Sequence, residues 1–389
     1  MVMNDNNCHL CLNQESASDM LYRRSLAASF STFAIGMVCV AAQAAPTSIQ
    51  DVLGRTVEVE APAKRVLLGF YFEDYMAVGG EKAFDKVVGI SREAWAGWRA
   101  ANWALHVAHR PSLKDIPDVG EVEAQTLSVE KVLALKPDVV VLADWQYKGM
   151  GSDIKRLEAA KIPVVVVDYN AQTLERHLAS TKVLGQLTGE TARAERINAE
   201  YKNAIDQVQS RIAQAKLPKP RVYIEFGNKG PTEYSFTYGK NMWGAMAAVA
   251  GGDNIAAPFV EWWGPMNPEQ VLASRPEVVL IAGTESTKNP AAMLMGQGVD
   301  KAQAAQRLAG FTGRNGWAEM PAVKTNRVYG IYQGASRTIS DYVMVQYMAK
   351  ALYPTLFKDL NPETNYLDFY KRYLPVTPSG TFMVSQGGK

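Results

Sequence analysis

Glu130-Lys131-Val132-Leu133-Ala134-Leu135-Lys136-Pro137-Asp138-Val139-Val140 recurs without gaps as Glu269-Gln270-Val271-Leu272-Ala273-Ser274-Arg275-Pro276-Glu277-Val278-Val279. Seven of the eleven positions are identical, and Lys136/Arg275 and Asp138/Glu277 keep their charge. Each copy reads as a short amphipathic helix, a turn punctuated by proline, and a buried strand. Helix-turn-strand units share composition, so coincidence is the competing explanation. One copy in each half of a long chain favours duplication instead, and with it two similar α/β lobes.

Around these copies, apolar strands and helices alternate. A hairpin is expected at 49–59, with its turn at Leu53-Gly54. Strands follow near 65–69, 87–90, 139–142 and 164–167, with helices at 129–135 and 153–160 between them. Near-continuous valine runs between helices mark a parallel sheet covered on both faces. Residues 190–215 contain neither Pro nor Gly and are rich in Ala, Glu, Gln and Arg. As one helix they would span about 39 Å, and Leu217-Pro218-Lys219-Pro220 ends them. A second series has strands at 221–226, 278–282 and 327–331 and helices at 242–250, 268–274 and 340–352. The expected fold is therefore α/β, two Rossmann-like lobes with parallel sheets joined by a single long rigid helix. The expected organisation is a 1–44 leader, an N-terminal lobe at 45–189, a bridging helix at 190–217 and a C-terminal lobe at 218–389.

The leader is an export signal with an upstream extension. Arg23-Arg24 precede an apolar, small-residue run that ends in Ala42-Gln43-Ala44, a signal-peptidase pattern with cleavage expected after Ala44. A twin-arginine signal and lipidation at Cys39 are the alternatives. All three cysteines, Cys8, Cys11 and Cys39, lie in this segment, which leaves no disulfide or thiolate metal site for the exported protein. Removing residues 1–44, with two basic and three acidic residues, moves the formal net charge from +2 to +3. No block of like charge follows, so neither nucleic acid nor an anionic membrane is implied as a partner.

The two echoed segments, the opening at 51–66 and Gly239-Lys240 followed by Gly251-Gly252-Asp253-Asn254-Ile255 together resemble the periplasmic binding proteins for siderophores, haem and cobalamin of ABC importers, the class III, helical-backbone metal-receptor type. The resemblance runs from about Ile49 to Phe357. It implies two lobes bridged by a rigid helix, a monomer without a resident cofactor, and a ligand gripped between the lobes. It also implies that Glu130 and Glu269 meet basic pockets on the two subunits of an inner-membrane permease dimer. Helix-end stabilisation is the competing account, since a carboxylate is favoured at a helix N-terminus, but it explains one glutamate more naturally than a matched pair. Residues 95–117 depart from the compact members and read as an inserted, Trp-rich loop.

Ligands of open α/β sheets lie beyond the carboxyl ends of the strands, and here those loops are aromatic. Tyr71, Trp95, Trp98, Trp145, Tyr169, Trp243, Trp262 and Trp263 are the candidate walls, because rings give large contact area at low entropy cost and stack on planar groups. Core packing competes for each of them. Arg99 and Arg337 are the candidate anion clamps, since a guanidinium both pairs with carboxylate and stacks on a ring. His106 and His109 have the spacing to share a helix face and one metal, although a surface pair is the preferred reading. The chain holds no G-x-S-x-G, H-E-x-x-H, Walker A or G-x-G-x-x-G signature. The expected function is periplasmic capture of an iron-siderophore or similar metal chelate, with no enzymatic activity. The alternatives are haem, cobalamin, a bare metal ion or an oxyanion as cargo, and an enzyme on the same scaffold.

Overall fold

A computed structural model describes residues 46–285 and 289–386. The proposed leader, with its three cysteines, lies outside the described residues.

The chain opens on an antiparallel hairpin, Thr47–Gln50 with Thr56–Val59. The N-terminal sheet has four parallel strands in the order Val87–Ile90, Val66–Leu68, Val139–Ala143, Val164–Val167. Its two central strands, Val66–Leu68 and Val139–Ala143, are buried at every position, which is why the sequence shows apolar runs rather than alternation. The C-terminal sheet has a parallel core of Arg221–Phe226, Val278–Gly283 and Val328–Tyr332. Antiparallel strands close its edges: Phe236–Tyr238 and Trp263–Pro265 on one side, Met383–Ser385 on the other.

The duplication read from the sequence is also a duplication of bonding. Lys136 and Arg275 both adopt left-handed backbone, at φ 46° and 47°. The Asp138 carboxylate accepts from the Lys64 and Arg65 amides, and its own amide donates to the Arg65 carbonyl at 2.7 Å. In the other lobe the Glu277 carboxylate accepts from the Arg221 amide at 3.1 Å, and its amide donates to the Arg221 carbonyl at 2.8 Å. The Arg65 side chain caps the Leu135 and Lys136 carbonyls as Arg221 caps those of Ser274 and Arg275. Each acidic residue thus fixes where the helix ends and which strand lies beside it.

The bridging helix is Thr191–Ala215, about 38 Å long at 1.5 Å per residue. Ala194, Ile197, Tyr201, Ala204, Ile205 and Val208 form its buried stripe, the spacing that keeps one face inward. The elements expected from sequence stop at Leu352, but a further helix, Pro362–Tyr373, comes after them and buries Tyr366, Phe369 and Tyr370. Residues 95–117 are not an irregular loop. They form a single π-turn at Glu93–Gly97, a helix at Ala100–His109 and a 3-10 turn at Pro111–Asp115. Trp95 anchors them, stacked on Phe72 at 5.0 Å, with its indole N–H donating to Asn102 Oδ1 at 2.7 Å.

Candidate ligand-binding site

A cavity of about 420 Å³ opens between the lobes, beyond the carboxyl ends of both parallel sheets. From the N-terminal lobe it is lined by Phe70–Asp74 and by Trp95, Trp98 and Arg99. The other lobe contributes Phe226, Phe236, Tyr238, Met242, Trp263, Glu285, Tyr332 and Arg337. This size lies within the range of small-molecule sites.

The two arginines have different partners. Arg99 Nη1 lies 2.6 Å from Glu73 Oε2, so its charge is met inside the protein. Burial alone would push the Glu73 carboxyl up, but Arg99 and hydrogen bonds from His106 and Asn102 hold it well below the usual carboxylate range. Arg337 has no carboxylate within ion-pair distance among the described residues, and its buried Nε lacks a hydrogen-bond partner there. Its guanidinium carbon sits 5.8 Å from the Phe70 ring centroid, within reach of a cation–π contact. Burial lowers its pKa from the ordinary value, partly offset by Tyr71, Tyr238 and Glu123. Glu285 faces the same space. Burial raises its pKa, and it accepts a hydrogen bond from the Tyr332 hydroxyl.

Six of the ten ligand candidates line the cavity: Tyr71, Trp95, Trp98, Arg99, Trp263 and Arg337. Trp95 is only 1% exposed and presents one edge of a packed core ring. Trp145 lies outside the lining, stacked behind Trp98 at 6.2 Å and edge-on to Phe70 at 5.7 Å. Tyr169 is fully buried against Tyr71, their centroids 5.0 Å apart. Trp243 is fully buried with its indole N–H on Gln333 Oε1. Trp262 is exposed and outside the lining, whereas its neighbour Trp263 is 57% exposed on the rim. Trp145 and Trp243 belong to the helices Asp144–Met150 and Trp243–Val249, and Tyr169 and Trp262 lie in loops outside the strands, so their direction depends on how those segments pack, which spacing from a strand end does not reveal.

His106 and His109 diverge. His106 Nε2 lies 2.9 Å from Glu73 Oε1 in the core, while His109 Nε2 meets exposed Glu81 at 3.0 Å. Among the described residues no group of three or more His, Cys, Asp or Glu could hold a metal ion. Glu130 and Glu269 are each the second residue of their helices, Val129–Leu135 and Pro268–Ala273, and both are exposed. Glu130 pairs with Arg156 at 2.6 Å.

Sequence reasoning missed Phe226 and Glu285 as wall residues, although each ends or follows a parallel strand. It also missed Tyr370, whose hydroxyl reaches Glu73 at 3.3 Å from the additional helix near the C-terminus.

Two α/β lobes, a long bridging helix and an aromatic cleft between sheet ends define a two-lobed substrate-binding protein. The sequence profile described as periplasmic binding protein matches residues 69–333. The chain belongs to that family, whose members are substrate-binding proteins of ABC transporters rather than enzymes and act outside the cytoplasm. A TroA-like periplasmic binding protein, FepB, from Veillonella parvula superposes with TM-score 0.82 at 33% identity, covering 87% of this chain and 99% of that one. An uncharacterized ABC transporter substrate-binding lipoprotein, YvrC, from Bacillus subtilis is 26% identical over 81% of this chain and 88% of its own length. The vitamin B12-binding protein of Pectobacterium atrosepticum is 28% identical, over 41% of this chain and 56% of that protein.

Proposed function

We propose that this substrate-binding protein works in the periplasm, after removal of residues 1–44, and captures an iron-siderophore or similar anionic metal chelate. Arg337 carries the reading: a guanidinium without an ion-pair partner among the described residues, set in an aromatic cavity, suits a carboxylate or a deprotonated chelating ring. Phe70, Tyr71, Trp98, Phe236, Tyr238 and Trp263 offer ring faces or edges to the organic part of the ligand. The metal arrives already coordinated, since among the described residues no group of three or more His, Cys, Asp or Glu could hold a bare metal ion. Glu130 and Glu269, on matched helices of the two lobes, engage the two subunits of the permease dimer. Cobalamin is the second reading, favoured by the B12-binding relatives.

Native mass spectrometry of protein purified from its own periplasm tests the proposal. A co-purifying ferric chelate supports it, and bound cobalamin selects the second reading. A bare ion as sole cargo would reject both.

A further inference from the structure

The helix Phe72–Gly79 carries Glu73 and Asp74 of the cavity wall, and its residues from Phe72 to Val78 are buried. Three ties reach it from the chain beyond residue 333, where the family profile ends. The Ile339 amide donates to Asp74 Oδ1 at 2.7 Å. The Tyr366 hydroxyl donates to that of Tyr370 at 3.3 Å, which donates in turn to Glu73 Oε2 at 3.3 Å. At the other end of the helix, Arg193 Nε donates to the Ala77 carbonyl at 2.7 Å, and its Nη2 donates to the Tyr373 carbonyl at 2.8 Å. Tyr366 and Tyr370 are buried, so water does not compete for their hydroxyls.

The helix Pro362–Tyr373, which supplies two of these ties, belongs by its connections to the other lobe. The chain enters it from the helix Tyr342–Leu352 and leaves it for Met383–Ser385, which pairs antiparallel with Val328–Tyr332 of the C-terminal sheet. Asn365 Nδ2 donates to Gln346 Oε1 at 2.8 Å within that lobe. On the bridging helix, Glu200 Oε2 accepts from Arg372 Nη1 at 2.7 Å and from the Tyr373 hydroxyl at 3.1 Å. One helix of 12 residues is thus fastened to both lobes and to the helix between them.

A single bridging helix leaves two lobes free to twist about it, because only the few backbone dihedrals at its ends resist. A second link, set off that axis, opposes the twist. Pro362–Tyr373 supplies such a link, since it is tied to Phe72–Gly79 as well as to the bridging helix. What it ties is the wall of the cavity. Glu73 Oε2, the acceptor for Tyr370, also pairs with Arg99, and Arg99 reaches Tyr332 of the opposite lobe. A cavity already held at its working width lets a guest bind without first ordering the lobes.

We propose that the helix Pro362–Tyr373 is a strap that holds the lobes at one separation in the empty protein, with Tyr370 and Arg193 as the positioning residues that fasten it to the N-terminal lobe. The strap does not depend on which cargo the cavity takes. The competing account is that this helix only covers apolar surface, in which case cutting the two fastenings leaves the lobe separation unchanged.

The test uses the ligand-free exported form, so a wrong cargo cannot mimic its failure. Outside residues 1–44 the chain has no cysteine. Spin labels at Lys131→Cys and Gln270→Cys, exposed and matched positions of the two echoed helices, therefore report the lobe separation by pulsed electron paramagnetic resonance. The labelled protein with its strap intact should give one narrow distance distribution. Tyr370→Phe combined with Arg193→Gln should broaden it by roughly twofold or more. Leu308→Ala, which empties a buried position in the helix Lys301–Thr312, should lower stability and leave the width unchanged. A narrow distribution in the doubly cut variant overturns the proposal, as does a broad one with the strap intact or a broadening that Leu308→Ala reproduces. Should the double variant fail to fold, Tyr370→Phe alone, which deletes one hydroxyl, is read in the same way against the same outcomes.

Discussion

Arg99 Nη1 sits 2.6 Å from Oε2 of Glu73, a residue of the helix Phe72–Gly79, and Arg99 Nε donates across the cleft to the Tyr332 hydroxyl at 3.4 Å. One arginine therefore serves the architecture, and Arg337, without an ion-pair partner among the described residues, is left to meet a guest. Two residues that look alike in sequence divide by what lies within reach of their guanidinium groups.

Removing the Arg337 charge should weaken binding with little effect on folding. Arg337→Gln is expected to lower affinity for the co-purifying chelate by about 10- to 100-fold, the equivalent of one charge-assisted hydrogen bond. Titration by tryptophan fluorescence measures this, and wild-type affinity in the variant would place the anion elsewhere.

Glu73→Gln should instead damage stability. Breaking a buried ion pair on one side leaves the other charge uncompensated, which costs about 3–5 kcal/mol. The folded-state pKa of Glu73 is depressed, so its contribution is present above the ordinary carboxylate range and lost as acid titrates the folded carboxyl. Urea denaturation at neutral pH checks the first statement. A loss under about 1 kcal/mol would show that Arg99 finds another anion.

Asp74 and Asp341 have the opposite sign. Burial raises each to about 7. Between the ordinary carboxylate pKa and neutrality the folded state holds protons that the unfolded chain has released, so these groups make stability fall as pH rises through that window. Asp74→Asn and Asp341→Asn should each flatten the slope between about pH 4 and pH 7 in thermal melts. An unchanged slope in both variants would mean that neither carboxyl holds its proton.

The tryptophans should divide by role. Trp95→Ala removes a ring stacked on Phe72 and is expected to cost about 3–5 kcal/mol. Trp98→Phe and Trp263→Phe should fold normally and reduce the fluorescence quenching that follows ligand addition. Full quenching in a Trp98→Phe, Trp263→Phe double variant would remove both rings from the ligand's surroundings.

Charge reversal at Glu130 or Glu269 should leave chelate affinity at the wild-type level and abolish uptake in cells. Lost affinity in the purified variants would contradict docking, because both side chains project from helices outside the cavity lining.

The echoed helix-turn-strand segments made the paired lobes legible, because a valine run after a proline turn has few folded solutions and two copies imply two sheets. The Pro- and Gly-free stretch made the bridging helix legible for a similarly local reason. Which rings face the cavity was decided only in three dimensions. Trp98 and Trp145 both follow strands, but Trp98 fronts the cavity and Trp145 stacks behind it. Nor could spacing separate Arg99 from Arg337, since Glu73 lies 26 positions before one and its distance from the other depends on how the lobes meet. The folded helical layer at 93–115 is not legible in its own residues because its core is built from contacts to Phe72 and Glu73, outside the segment itself. Periodicity and punctuation are properties of neighbours along the chain, so sequence determined the elements. Electrostatic pairing and the direction of a side chain depend on neighbours in space, so only the packed structure assigned the charges and the walls.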